Sequence, residues 1–191
     1  MSGGEVALLV IGVIAGLAIL FGLFVMLTYN KFVRQKNDVE EAFSTMDVYL
    51  KKRYDLIPNL VETVKGYAKH EKEALENVMK ARYSAMNAGS TNEKVKGENA
   101  LSSTLKSLFK VTENYPELKA DKHFSELMGQ LKEVENEIVN ARKYYNGTVK
   151  MFNTKCDVFP SSIIARWFKF QKLDLFEVAD AEERQNVKVQ F

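Results

Sequence analysis

The sequence predicts an all-α protein: an N-terminal single transmembrane helix followed by an antiparallel four-helix bundle. Three observations carry this. Val6 to Leu27 is an unbroken apolar, uncharged run. Beyond it, apolar residues recur at spacings of three and four, the period of an amphipathic helix. Only three prolines, at 58, 116 and 160, and one Gly/Ser-containing stretch near Asn87 interrupt the 191 residues, and a chain so poor in breakers is mostly helix.

The apolar run comes first. A helix needs about 20 apolar residues to cross a hydrocarbon core of roughly 30 Å, so residues 6–28 are expected to span a membrane and 1–5 to form a short extracytoplasmic N-terminus. A cleaved leader would want a basic start, a shorter core and a small-residue cleavage site. Met1 to Glu5 holds no Lys or Arg, and Thr28-Tyr29-Asn30-Lys31-Phe32 offers no such site. Lys31, Arg34 and Lys36 lie on the C-terminal side with no counterpart before the span. The positive-inside bias therefore puts the large domain in the cytoplasm, at a bacterial inner (plasma) membrane, with the N-terminus outside. Within the span, Gly12 and Gly16 have the spacing of close helix contact, and Gly22 follows.

Residues 29–158 are expected to form the bundle. Val39, Phe43, Met46 and Leu50 give a first stripe; Ile57, Leu60, Val64, Tyr67, Leu75 and Val78 a second. Leu101, Leu105, Leu108 and Val111 or Thr112 give a third. The fourth is the longest: Phe124, Leu127, Leu131, Val134, Ile138, Ala141, Tyr145, Val149, Phe152 and Cys156. Such narrow stripes suit coiled-coil-like seams. Asp47, Lys51 and Asp55 are placed for i,i+4 attraction on an exposed side. The first helix is expected to end at Lys51-Lys52-Arg53, where cations suit the dipole. Asp55 would cap the next helix, with Pro58 in its first turn. Ser90 with Glu93 is a capping-box pattern, and Tyr115-Pro116 separates the third helix from the fourth.

An up-down-up-down path returns the fourth helix toward the membrane. The tail, 159–191, is thus expected at the membrane-proximal end. It begins with Phe159, Ile163, Ile164, Arg166, Trp167, Phe168 and Lys169, an aromatic and basic mixture that interface segments use. Packing over the end of the bundle and lying at the lipid interface are both open to it, the former being favoured.

Signs of catalysis are missing from the sequence. His70 and His123 stand apart, and neither sits in a zinc or di-iron spacing. Cys156 falls in an apolar stripe, where a structural role is expected. Asn146-Gly147-Thr148 matches the glycosylation triplet, but its place in a helical stripe on the cytoplasmic side makes it a chance match. Acids and bases interleave around a formal net charge of +2, which argues against nucleic-acid binding. No enzyme, cofactor or metal site is expected.

Asp47-Val48-Tyr49-Leu50-Lys51-Lys52-Arg53-Tyr54-Asp55-Leu56-Ile57-Pro58-Asn59-Leu60-Val61 resembles the signature of the LemA family. Val64-Lys65-Gly66-Tyr67, His70-Glu71, Ala81-Arg82, Tyr115-Pro116-Glu117-Leu118-Lys119-Ala120, Ala141-Arg142-Lys143-Tyr144-Tyr145-Asn146 and Phe159-Pro160 extend the likeness over nearly the whole chain. The tail departs from it, being more basic and aromatic at Arg166 to Phe170 than family members usually are. The resemblance implies a bacterial inner-membrane protein with a four-helix cytoplasmic domain and no recognised enzymatic activity. One branch of the family is tied to the magnetosome membrane, and its genes often neighbour membrane metalloproteases. Two function classes follow. One is a homo-oligomeric scaffold that organises or remodels lipid; the other is an adaptor presenting its bundle to a membrane protease or envelope-stress partner.

Overall fold

The computed structural model describes residues 2–177, and its regular structure there is entirely helical. Six helices follow in order: α1 (Gly3–Tyr67), α2 (Lys72–Met86), α3 (Thr91–Thr112), α4 (Pro116–Ala120), α5 (Lys122–Asp157) and α6 (Ser161–Trp167). Of the expected tail, residues 178–191 lie outside the described residues.

The first correction concerns α1. No break occurs at Lys51-Lys52-Arg53, Asp55 caps nothing, and Pro58 stands inside the helix. The reason lies in the stripe itself, because Met46, Leu50, Ile57, Leu60 and Val64 are all fully buried along one line. Ending the helix at Arg53 would break that line. Lys51 instead donates to Asp55 at 2.7 Å, an i,i+4 pair that supports a continuous helix. The break comes at residues 68–71, so Leu75 and Val78 belong to α2, a separate helix. Tyr67, expected in the stripe, is exposed.

Ser90 caps α3 by accepting from the Glu93 amide at 3.2 Å, while Glu93 accepts from the Gly89 amide at 2.9 Å. Pro116 opens α4, a five-residue helix that the sequence pattern does not predict. Asp121 then accepts from the Phe124 amide at 2.8 Å, which satisfies one orphan donor at the start of α5.

Two compact units share these helices. The first comprises residues 2–41 and Gly147–Leu173. Its centre is aromatic: Phe32 stacks on Phe170 at 4.7 Å and meets Phe152 edge-on at 5.9 Å. The second comprises residues 42–146 and, of the described tail, 174–177. It buries Leu101, Leu105, Leu108, Leu131, Val134 and Ile138 together with α1 and α2 residues. Helices α2 and α3 approach closely, since a Cβ on Gly97 would lie 2.8 Å from the Ala85 Cα. Only glycine fits there without a shift.

Candidate functional site

In the second unit, the signature segment builds a buried ionic latch rather than an open site. Arg53 is 1% exposed, although its local sequence predicts a solvated helix-end cation. Its Nη1 donates to Ser102 at 3.2 Å and Glu135 at 2.6 Å, and its Nη2 pairs with the buried Glu98. Tyr54 also donates to Glu98, and burial pushes its phenol pKa up to about 12. Removing one partner of such a pair strands the other charge at about 3–5 kcal/mol. The latch joins α1, α3 and α5.

Pro58 makes a second connection. A proline lacks the amide that would bond the carbonyl four residues earlier, here that of Tyr54. Arg82 of α2 supplies the missing donor, its Nε reaching the Tyr54 oxygen at 2.6 Å. Pro58 and Arg82, distant in sequence, thus answer one requirement. Asp47 is half-buried rather than solvated and pairs with Lys94, whose ammonium lies 5.3 Å from the Phe43 ring centroid. Lys51, Lys52, Asp55 and Asn59 are exposed, and Pro58 is half-buried.

Sequence reasoning misses the asparagine clamps. In the second unit, the Asn146 amide accepts from the Phe176 N–H at 2.8 Å and donates to its carbonyl at 3.0 Å. In the first, Asn153 does the same for Leu173, at 2.9 Å each way. Each side chain imitates the edge of a strand. A signal is present: two asparagines, seven residues and hence two turns apart, flank the apolar stripe of α5. In the sequence, Asn146 reads as part of a chance triplet and as the end of one family-like segment, and neither reading points to a clamp.

The first unit holds the apolar part of α1, which belongs to the one helix among the described residues long and apolar enough to cross a membrane. Gly12, Gly16 and Gly22 face open space. Against this helix lies α6. The Trp167 ring meets Phe21 edge-on at 6.4 Å, and Phe168 and Phe170 flank Tyr29 at 4.7 and 5.8 Å. Phe21 is six residues, about 9 Å, before the end of the apolar run. Ile164 and Ala165 are buried. Phe159, Ile163, Trp167 and Phe168 stay exposed, with Arg166 and Lys169 beside them. One face of α6 therefore packs on its own unit while the other is an apolar and basic rim.

Lys155 lies nearby. Its Nζ is buried with no hydrogen-bond partner and sits 4.8 Å from the Phe32 ring centroid. Burial first, and Lys31 second, lower its pKa to about 8. Cys156 is only half-buried, and burial raises its thiol pKa. His70 and His123 are exposed, and no cluster of metal-ligating side chains occurs among the described residues.

Comparison with known sequences decides the family. The model of the LemA family matches residues 42–191. The chain belongs to the LemA family. Among its relatives, Protein LemA of Metamycoplasma hominis is 28% identical over 163 residues, covering 84% of this chain and 72% of that protein. Magnetosome protein MamQ 2 of Paramagnetospirillum magneticum is 23% identical over 197 residues, covering 90% and 72%. Within the matched region, Arg53, Tyr54 and Pro58 serve to join helices, through the ionic latch and the Arg82 contact. The apolar run precedes the matched region.

Proposed function

We propose that this LemA-family protein is a non-enzymatic, membrane-anchored helical scaffold that self-assembles and organises or remodels the membrane. The carrying observation is the apolar rim of α6. Trp167 is seated on Phe21, about 9 Å within the apolar run, so a bilayer spanned by that run would take the rim in just inside one leaflet's headgroup boundary. Aromatic rings with flanking cations favour that boundary, and large apolar side chains inserted there take up area in one leaflet only. Many copies would add such wedges together. The open Gly12 and Gly16 face supports association between spans. The likeness to proteins named for the magnetosome is consistent with work on a membrane. The one-sided Lys31, Arg34 and Lys36 support a cytoplasmic domain at the bacterial inner membrane.

Particle size in detergent and the curvature of liposomes carrying the protein test this reading. Replacing Trp167 and Phe168 with Ser removes apolar area from the rim and is expected to reduce curvature. Gly12→Ile with Gly16→Ile is expected to shrink the particle. A wild-type protein that runs as a monomer on flat membranes would overturn the scaffold. The adaptor for a membrane protease or stress partner would then lead, and cross-linking would seek that partner.

A further inference from the structure

In the first unit, two ammonium groups lie just beyond the apolar run without an anion. Lys155 Nζ is buried against the Phe32 ring and has no hydrogen-bond partner. Lys31, one residue before that phenylalanine, is exposed and acts on Lys155 as a like charge. Neither forms an ion pair among the described residues. Carboxylates are scarce around them. Residues 28–37 hold Lys31, Arg34 and Lys36 and no acid. In 147–173 the one carboxylate is Asp157, which pairs with Lys172 at 2.7 Å. Two like charges held close by helix packing, one of them dehydrated, are costly on their own. An anion between them relieves both costs.

Depth along α1 says which anion. Lys31 is four residues past Leu27, about 6 Å, and Phe32 five residues past it, about 8 Å. The polar layer of a bilayer occupies roughly 5–8 Å outside each face of the hydrocarbon. With the run across a membrane, both lysines therefore stand at the level of the lipid phosphates. We propose that Lys31 and Lys155 together bind the phosphate of an anionic phospholipid, in the leaflet that the α6 rim enters. The site rests on the membrane anchoring proposed above, and not on self-assembly.

The surroundings suit such a lipid. Trp167 and Phe168, exposed on the rim and packed along Phe21 and Tyr29, offer apolar surface to its acyl chains. Arg166 and Lys169, also exposed, keep the local charge positive, so a headgroup that carries its own ammonium is disfavoured. Lys155 reaches the phosphate by rotating its flexible stem away from the Phe32 ring. That movement breaks no hydrogen bond, because the ammonium has none. It gains a charge-assisted one to a phosphate oxygen.

The test mixes the full-length protein, in neutral detergent, with phosphatidylglycerol or phosphatidylcholine of identical chains and counts bound lipid by native mass spectrometry. Phosphatidylglycerol is expected to be retained roughly fivefold more or better. Lys31→Gln with Lys155→Gln is expected to bring that ratio near one while helix content by circular dichroism stays at the wild-type level. Lys31→Arg alone is expected to keep the preference. Lys52→Gln with Lys80→Gln removes the same charge from exposed positions of the second unit and is the control, expected to keep the preference too. An equal loss in the control would reduce the effect to net charge and overturn the site, as would wild-type protein without a preference. Excess inorganic phosphate is expected to leave the lipid bound; displacement would assign the lysines to a free anion and overturn the lipid as occupant. Particle size and liposome curvature are read separately. Protein that assembles and curves membranes with no preference for phosphatidylglycerol would sink this site alone, whereas a monomer on flat membranes that keeps the preference would sink only the scaffold.

Discussion

At the residue scale, the environment of Lys155 conflicts with its charge. A Lys Nζ without a hydrogen bond is costly to bury, and the Phe32 ring face recovers only part of that cost. The folded pKa, about 8, lies below the ordinary 10.5. Between those values the unfolded chain binds more protons than the folded one, so this group's contribution to stability rises with pH. Below about 8 the folded state carries the full penalty. Lys155→Met keeps an unbranched apolar stem and removes the charge. It is expected to be more stable than wild type at pH 7, with the gap narrowing as pH rises from 8 toward 10.5. Denaturant melts across that range check it, and a gap independent of pH would contradict the assignment.

At the element scale, α1 survives a proline because another helix completes its hydrogen bonding. A mid-helix proline costs about 3 kcal/mol in an isolated helix, through its missing amide and a clash with the carbonyl four residues before. The Arg82 guanidinium addresses the first part by donating to the Tyr54 carbonyl. Pro58→Ala restores the amide and makes that donor redundant. Arg82→Met alone is expected to destabilise the protein by about 1.5–3 kcal/mol, the range for hydrogen bonds to charged groups. In a Pro58→Ala background the same change is expected to cost well under half as much. A double-mutant cycle on denaturant melts measures the coupling, and additive effects would show that Arg82 serves something else.

At the scale of the whole molecule, the property that matters most is which side of the membrane the helical domain occupies. Lys31, Arg34 and Lys36 follow the apolar run, and with that run across a membrane the positive-inside bias would put the domain in the cytoplasm. In a Cys156→Ser background, Ser2→Cys in intact cells is expected to react with an impermeant maleimide. Lys80→Cys, on an exposed position of α2, is expected to react only after lysis. The reverse pattern would invert the topology and place the rim of α6 in the opposite leaflet.

The all-helical class, the apolar run from Val6 to Leu27 and most of the buried stripes are legible in the order of residues alone. Length, hydropathy and the 3–4 period are local properties, and no folded partner is needed to read them. The Ser90 cap is legible for the same reason, since it needs only neighbouring residues. Positions that depend on distant partners are not. Lys51-Lys52-Arg53 and Pro58 look like punctuation because their local chemistry favours a helix end. Packing continues the helix through them by bringing Glu98 and Glu135 to Arg53, and Arg82 to the carbonyl that Pro58 leaves unbonded. Likewise, Asn146 carries no local sign that it clamps a strap thirty residues later. A hydrogen bond across such a separation depends on how the helices pack, and packing is where a buried charge or a missing amide finds its partner.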